Sequence, residues 1–529
     1  MPPNNNSFMS DPDICREIIA ILFSEKPPDP TQAKIEVCRR HSLTTVPRNS
    51  ALIAAARPEE RDQLRRLLLV KPTRTLSGVA PVAVMTSPYP CPHGTCLPCP
   101  GGPDHPFHSP QSYTGEEPAA LRAREHSYDP YSQVAARLGQ FELLGHNVDK
   151  VELIVMGGTM TARPPDYQEW FVGSCVRAMN EYRGHHTPGT DTASVFRQNE
   201  HAPVRCVGIT FETRPDWCGE EEIGRMLSLG VTKVELGVQH LDDEILAFNR
   251  RGCTTADTAR ANRLLRNAGF KVGFHIMPNL PGSTISQDRQ VFRDLFEDPD
   301  LCPDFLKIYP TLVTPGSEIE ELFRSGLYHP YREEELIDLI AYGKSLLPEY
   351  VRLQRIQRDI PAKLIVAGSK HSNFRQLCQQ RLAESGGKCR CIRCREAGRS
   401  PSDSAPNIRE LRYSCAGGEE HFISAVAGDS LIGFARLRTG GERPRSEIAG
   451  CALLRELHVY GGMVPLGSTP DPDQRQHRTF GRHLLDTAES ASRESGYREL
   501  AVMSGIGVRP YYRRHGYERR GPYMVKRLA

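Results

Sequence analysis

The sequence predicts an α/β protein: a partial TIM-type barrel of parallel strands, set between a basic helical module and a second, strand-rich α/β domain. Three observations carry this. Buried-strand patterns alternate with helical ones from Ser77 to Ile308, the mark of consecutive βαβ units. A Ser/Pro-rich stretch, 398–408 (GRSPSDSAPNI), interrupts the chain, and strands, a helix and another strand follow it. Finally, 529 residues exceed what one core organises, so two to four domains are expected. We place them at 1–75, 76–345, 346–400 and 401–529.

The bulk numbers exclude several classes. With 25% charged and 39% hydrophobic residues the composition is that of a globular chain. No apolar run reaches the ~20 residues of a membrane span. The N-terminal MPPNNNSFMSDPD lacks the basic and apolar segments of a signal peptide. Sixteen cysteines in such a chain read as thiols and metal ligands rather than disulfides, so a cytoplasmic location is expected. The net charge of +3 conceals a basic stretch: Lys34 to Arg74 carries ten Lys/Arg, among them Arg65 and Arg66, against four Asp/Glu. Ile14, Ile18, Ile19 and Leu22 space one apolar helix face, and helical periodicity returns from Thr31 to Leu69 with breaks at Pro47 and Pro58. This module is either a phosphate-binding surface or an ordinary solvated one.

Ser77–Met85 (SGVAPVAVM) reads as a buried strand running into Tyr89–Gly102 (YPCPHGTCLPCPGG). Cys91, Cys96 and Cys99 stand there as Cys-x4-Cys-x2-Cys, in a loop stiffened by Pro90, Pro92, Pro98 and Pro100. Three thiolates so placed can hold three corners of a 4Fe–4S cluster; a zinc knuckle or free thiols would use the same residues. A cluster with one iron left open can chelate S-adenosylmethionine, and this spacing is the one that radical enzymes of that cofactor use. Leu121–Gly145 reads as one long helix. Val151–Met156 is the next strand, ending in Gly157-Gly158-Thr159, where glycine lets the backbone approach a ligand closely.

Strands at Val204–Phe211, Lys233–Val238, Lys271–Met277 and Phe305–Ile308 follow, with helices from Glu220 and Thr255 between. Their C-terminal ends carry Glu212, Thr213, Arg214 and Asp216, then Gln239, His275, Lys307 and Tyr309. On one barrel rim these would surround a common cavity, with Glu212 a cofactor-binding candidate. From Pro348 the periodicity loosens. Arg352, Arg355, Arg358 and Asp359 lie in VRLQRIQRDIP, and KCRCIRCREAGR (388–399) sets Cys389, Cys391 and Cys394 among five basic residues. Three soft ligands so close suit a structural zinc site, its fourth ligand open between Cys302, His371 and Cys378; free thiols are the alternative.

The last domain has strands at Leu411–Cys415, His421–Val426, Ser430–Leu437 and Cys451–Val459, a helix from Phe480 to Gly496, a strand at Leu500–Met503 and a helix opening near Pro510. This is the element order of the GNAT-type acetyltransferase fold. There a splayed strand, here Glu456-Leu457-His458-Val459, precedes a loop whose amides cradle the pyrophosphate of acetyl-CoA. That loop is read at Gln476–Arg482 (QHRTFGR), which keeps Gln476 and Gly481 but carries Thr479 where a first glycine is usual. Tyr511-Tyr512 and Gly516-Tyr517 supply the aromatic tail.

Together with RTLSGVAPVAVM, CPGGPD, SYTGEEP, VMGGT, ETRPD, LKIYPTLV, RIQRDIP, RELHVYG and GPYMVK, this combination closely resembles the catalytic-subunit family of Elongator from about residue 40 to the end. The short cluster loop resembles the prokaryote-like stand-alone form. The resemblance implies a radical SAM acyltransferase that forms 5-carboxymethyluridine at the wobble position of tRNA, uridine 34, from acetyl-CoA and S-adenosylmethionine. It implies that Cys91, Cys96 and Cys99 hold the 4Fe–4S cluster, and in radical enzymes of this class the position of Gly157 and Gly158 is where the methionine end of S-adenosylmethionine is met. Lys150 (in GHNVDK), Glu456, Leu457, His458, Val459, Phe480, Gly481, Arg482 and Tyr512 would contact acetyl-CoA, Lys150 ranking with the cysteines among the catalytic residues.

The expected partner is tRNA, through its anticodon stem-loop, held by the basic module, the Arg352–Arg358 run and residues 388–399. An electron donor is required; no membrane and no obligate complex is implied, and the state is monomer or homodimer. Since the thioester must reach the barrel mouth, the two catalytic domains are expected to pack face to face. Three rival readings stand beside this one. A protein lysine acetyltransferase with a structural cluster would use Glu456 or His458 as base, and a tRNA-binding scaffold would need no turnover. Another radical tRNA enzyme, such as a methylthiotransferase, needs no acetyl-CoA domain.

Overall fold

The computed structural model describes residues 12–43, 46–47, 49–68, 75, 78–105, 107–186, 188–189, 191–400, 402, 404–460 and 476–528. Its centre is a seven-stranded, all-parallel sheet in sequential order: β1 (Ala80–Met85), β2 (Lys150–Met156), β3 (Arg205–Thr213), β4 (Lys233–Gln239), β5 (Lys271–Ile276), β6 (Phe305–Ile308) and β7 (Arg352–Ile356). Such a sheet needs helices over its outer face. Along β2, Val151, Leu153 and Val155 are buried beneath them, while Lys150, Glu152, Ile154 and Met156 turn to the concave side.

The alternation of β7 explains why its sequence concealed it. Leu353 and Ile356 are buried, but Arg352 before them and Gln354 and Arg355 between them are polar, so no apolar run marks the strand. The long helix expected over Leu121–Gly145 is two, Pro118–Glu125 and Pro130–Leu143. Ser127 and Tyr128 turn the chain at positive φ, and Asp129 caps the second helix by accepting the Ser132 N–H at 2.8 Å. Pro130 at the first helical position then suits a start rather than an interior.

Helices Pro12–Leu22, Pro30–Arg40, Asn49–Ala55 and Arg61–Leu68 form the N-terminal module around Ile14, Ile18, Val37, Leu52 and Leu64. Several of its cations are paired within it: Arg16 with Glu60, Arg40 with Glu17 and Glu36. The side chains of Arg65 and Arg66, and all of Lys71 and Arg74, lie outside the described residues.

The C-terminal domain is a second seven-stranded sheet, ordered β13-β14-β12-β11-β10-β9-β8. Its strands are β8 (Asn407–Cys415), β9 (Gly418–Ala427), β10 (Ser430–Thr439), β11 (Ala452–Val459), β12 (Glu499–Val502), β13 (Glu518–Arg520) and β14 (Tyr523–Arg527). β8 begins at Asn407, inside the stretch whose composition read as linker, because all of it pairs with β9. The two carboxy-terminal strands were not anticipated.

This domain does pack against the barrel, but at the N-terminal ends of the barrel strands, opposite the expected mouth. Arg455 of β11 donates to both oxygens of Asp304 (2.8 and 2.9 Å), to Glu420 (2.7 and 3.1 Å) and to the Phe270 carbonyl (2.8 Å). Arg266 and Arg438 reach the same Glu420 at 3.1 and 3.0 Å. All of these side chains are essentially unexposed. Burial alone would raise the Asp304 carboxyl, but Arg266, Arg455 and Arg436 hold it far below the usual carboxylate range. Gly505 seats the domain on β3: a Cβ there would lie 2.0 Å from the Val207 carbonyl oxygen.

Two candidate cofactor sites at opposite ends of the barrel

The C-terminal strand ends open into a cavity lined by Cys91, Cys96 and Cys99 together with Gly158, Glu212, Gln239, His275, Lys307 and Tyr309. Thr213 and Arg214 also line it, so of the expected rim residues all but Asp216 converge there. The three sulfurs do not gather within 4.8 Å of one another, as the described residues of a single-ion site would. Tetrahedral zinc holds sulfurs about 3.8 Å apart, so the spread suits the corners of a cluster better than one ion. Gln111 donates to the Cys99 sulfur at 3.0 Å, and His93 stands between the other two, Nδ1 3.0 Å from Cys91 and Nε2 3.0 Å from Cys96. Burial, Arg214 and Arg251 push His93 down to about 3, so its ring is neutral. Sequence reasoning missed His93 and Gln111; neither carries a local pattern, although both lie in or just after the cysteine loop.

The two glycines play different parts. Gly157 (φ 120°) is required by the chain itself, since a Cβ would lie 2.3 Å from Thr86 Oγ1. Gly158 (φ 95°) lines the cavity. Glu212 accepts from the Tyr113 hydroxyl at 2.8 Å and from Lys307 at 3.1 Å, which fixes its carboxylate toward the cavity. Arg214 and Asp216 satisfy each other through two bonds of 2.9 Å. Gln239 has φ 77° and a buried Oε1 without a partner among the described residues, a backbone cost that cavity-facing positions bear more often than others.

At the other end, β11 runs parallel to β12 only from Ala452 to Leu454 and then parts from it. The Arg455–Val459 backbone is thereby left without a strand on that side, which is the splay expected of an acetyl-CoA site. Gly481 closes the gap: a Cβ there would stand 3.4 Å from the Tyr511 hydroxyl and 3.7 Å from Val459. The expected loop at Gln476–Arg482 is helical instead, because the helix Gln476–Glu494 already starts at Gln476. With Thr479 in place of glycine nothing breaks the helix there, and the free amides of its first turn remain available to a phosphate. The side chains of Gln476 and Thr479 lie outside the described residues. Arg482 pairs with Asp486 at 2.8 Å.

Tyr512 is buried, and that burial, with Tyr511 and Glu456 nearby, pushes its hydroxyl up. Lys150 opens β2 at the same end of the barrel, its ammonium pushed down by burial. Glu456, a base in the lysine-acetyltransferase reading, is held by Arg436 at 2.8 Å. The His458 ring is pushed down by burial and its Nε2 lacks a partner among the described residues.

Between the two domains, Cys389, Cys391 and Cys394 bring their sulfurs within 4.8 Å of one another, close enough for one zinc ion. None of the three proposed fourth ligands joins them. Cys302 is beside Cys415, His371 pairs with Glu333 at 2.8 Å, and Cys378 lies outside the set. The basic residues around the site are committed internally. Arg390 bonds Glu349 and Asp429, Lys388 bonds Asp429, and buried Arg395 bonds Glu349 at 3.3 Å. Arg352 likewise donates to the Tyr460 hydroxyl at 2.6 Å and pairs with Glu396 at 2.9 Å. Arg355 pairs with Asp359 at 2.7 Å, and Arg358 donates to the Ser112 carbonyl. These two stretches are thus structural before they are anything else.

Comparisons with known proteins match the domains in the same order. The chain matches the ELP3 N-terminal domain over residues 12–76, the radical SAM superfamily over 90–295, the radical SAM C-terminal domain over 303–384 and the acetyltransferase (GNAT) family over 392–517. It is 47% identical to the tRNA uridine(34) acetyltransferase of Methanocaldococcus jannaschii, over 94% of this chain and 93% of that one. It is 40% identical to the Elongator complex protein 3 of Homo sapiens, over 98% and 96%. A solved structure of the archaeal Methanocaldococcus infernus Elp3 lacking residues 1–46 superposes with a TM-score of 0.74 at 41% identity, covering 85% of this chain and all of that one. By the order of its domains and by identity along nearly its whole length, the chain belongs to the Elongator complex protein 3 family.

Proposed function

We propose that the protein is a tRNA uridine(34) acetyltransferase: it builds a carboxymethyl group on the wobble uridine of tRNA, taking the two carbons from acetyl-CoA by radical chemistry. The observation that carries this is the presence, in two domains packed against each other, of the cysteine trio at one barrel end and the splayed β11 at the other. Two archaeal relatives, 47% identical over 94% and 91% of this chain, bear that name.

Cys91, Cys96 and Cys99 would hold a 4Fe–4S cluster, which with S-adenosylmethionine supplies a 5′-deoxyadenosyl radical able to take hydrogen from an acetyl methyl group. The chain's own residues do the rest. Gly158 lets the cavity wall come close to the methionine end, and Glu212, steadied by Tyr113 and Lys307, accepts hydrogen bonds there. The unpaired backbone of Glu456–Val459 would hold the pantetheine, and Phe480, Gly481 and Arg482, just inside the helix that starts at Gln476, would face the pyrophosphate, while Lys150 and Tyr512 would serve the thioester. The Cys389–Cys391–Cys394 set, as a zinc site, pins the segment between the domains.

The uridine must leave its stack to reach a group held within a barrel. We take the anticodon stem-loop as the bound part of the tRNA, a one-electron donor as a second partner, a monomer or homodimer as the working state, and the cytoplasm as the location. Among the described residues no helix is long and apolar enough to cross a membrane.

The test is anaerobic reconstitution of the cluster, incubation with tRNA and both cosubstrates, and mass analysis of the digested nucleosides. Carboxymethyluridine should form and should vanish in Cys96→Ala. Product without the cysteine, or deoxyadenosine without product, would defeat the reading.

A further inference from the structure

The barrel interior between the two sites is not built like an ordinary core. Barrel interiors are usually filled with layers of branched apolar side chains. Here the concave positions include Glu152, Thr210, Lys233, Glu235, His275 and Lys307. Gly273 of β5 is opposite Glu235 on one side and Phe305 on the other.

Halfway along, the charged residues form a layer across the lumen. Lys233 bonds Glu152 at 3.0 Å and stands 3.3 Å from Glu235; Lys307 bonds both Glu235 and Glu212. The Gln354 amide, with its oxygen toward Lys233 and its nitrogen toward Glu235, completes the layer at 3.1 Å on each side. Lys233 and Glu235 are 2% exposed, whereas the Glu152 side chain is 36% exposed. On one side of the layer, Lys307, His275 and Glu235 form the floor of the cluster cavity. On the other, Lys271 opens β5 close enough to Glu456 for the carboxylate to act on its charge, and His458 feels Glu152 in the same way. The ion pairs of this layer therefore stand between the cluster cavity and the strand that carries the acetyl-CoA candidates, with the Phe305 ring 4.9 Å from Lys233 and 5.6 Å from Arg436 beside them.

We propose that this lumen is the route by which the acetyl end of acetyl-CoA, its thioester intact, reaches the cluster cavity from the acetyltransferase site, and that Lys233 and Glu235 are the gate across it. The proposal rests on the function proposed above. An apolar layer could part only by opening voids, which packed cores resist. The polar layer has an alternative: Lys233 already touches two carboxylates, and so does Lys307. Lys233 can thus release Glu235 while keeping Glu152, and Glu235 can keep Lys307, so that no buried charge is left alone. An ammonium freed on that side offers its hydrogens to an incoming carbonyl oxygen.

Two variants of the full chain test this, each with three readouts. A Cβ at Gly273 would come 3.3 Å from Glu235 Cγ and 3.2 Å from Phe305 Cβ, so Gly273→Leu places bulk in the lumen beside the gate. Lys233→Met removes the ammonium at nearly constant length. Acetyl-CoA affinity is measured by calorimetry, without reaction; deoxyadenosine and carboxymethyluridine are then measured on the reconstituted protein with tRNA. Affinity and deoxyadenosine should stay near wild type while carboxymethyluridine falls about a hundredfold, the cost of losing reactive alignment. Wild-type yield of carboxymethyluridine in a Gly273→Leu protein of normal melting temperature overturns the route, and wild-type coupling in Lys233→Met overturns the gate. If Gly273→Leu melts early, Lys233→Met decides alone. A wild-type protein that makes no carboxymethyluridine would instead bring down the functional reading itself.

Discussion

Replacing Arg455 by Met should loosen the joint between the two catalytic domains more than any other single change in it. Arg455 makes five hydrogen bonds, four to Asp304 and Glu420 and one to the Phe270 carbonyl, with no exposed surface. Breaking a buried ion pair by removing one partner costs about 3–5 kcal/mol, because a desolvated charge is left behind. Arg436 offers the internal comparison. It makes a single hydrogen bond among the described residues, to Glu456, stands 3.4 Å from Asp304, and lies over Phe305, Phe422 and Phe434 at 5.6, 5.3 and 5.1 Å. Methionine can keep that apolar packing, and Asp304 keeps Arg266 and Arg455, so Arg436→Met should cost about 1.5–3 kcal/mol, less than Arg455→Met.

The assay is urea unfolding followed by far-UV circular dichroism and by fluorescence. Both tryptophans, Trp170 and Trp217, lie in the barrel, so fluorescence reports that domain alone. In the wild type the two signals should coincide; in Arg455→Met they should separate as the acetyltransferase domain unfolds first. Because the Asp304 carboxyl is held far below its ordinary value, its contribution is complete above about pH 4 and is lost only as the pH falls well below that. The difference between wild type and variant should therefore persist at pH 5. An Arg455→Met protein within about 1 kcal/mol of wild type, or less stable with Arg436→Met than with Arg455→Met, would refute the reasoning.

Other expectations follow from particular groups. Cys391→Ala should abolish stoichiometric zinc by elemental analysis and lower the melting temperature, while leaving the cluster absorbance intact; zinc at wild-type level would remove the site. Asp429 is held down to about 2 by Lys388 and Arg390, so its stabilisation is present above the ordinary carboxylate value and lost as the pH falls toward 2. Being 43% exposed, it is worth less than about 1 kcal/mol, and an Asp429→Asn penalty that is undiminished in acid would contradict this. Reversing charge at Arg65 and Arg66 together should weaken tRNA binding and reduce the salt slope by about two; an unchanged slope would take the N-terminal module out of the tRNA site.

Much of the barrel was legible because its outward face is apolar at every second residue, so β1 to β6 announced themselves. β7 did not, since Arg352 and Gln354 serve the polar interior. The same interior explains why the rim residues were foreseen singly while their pairing was not: the Lys307 bonds to Glu212 and Glu235 join strands far apart in sequence. The basic runs at 352–358 and 388–399 read as tRNA-binding surface because charge in a sequence says nothing of its partner within the fold; Glu349, Glu396 and Asp429 pair with several of these cations, and no sequence pattern shows that.

What the amino-acid order determined alone was chemistry written locally: the spacing of Cys91, Cys96 and Cys99, the crowding of Cys389, Cys391 and Cys394, and the order of strands and helices that fixes each fold. These depend on neighbours along the chain, and short-range geometry is enough to read them. Only the tertiary structure decided that the acetyltransferase domain caps the N-terminal ends of the barrel strands, away from the cluster. That choice is made by Asp304, Glu420 and the arginines around them, charges spread from Arg266 to Arg455 that stabilise the fold only when all are removed from water together.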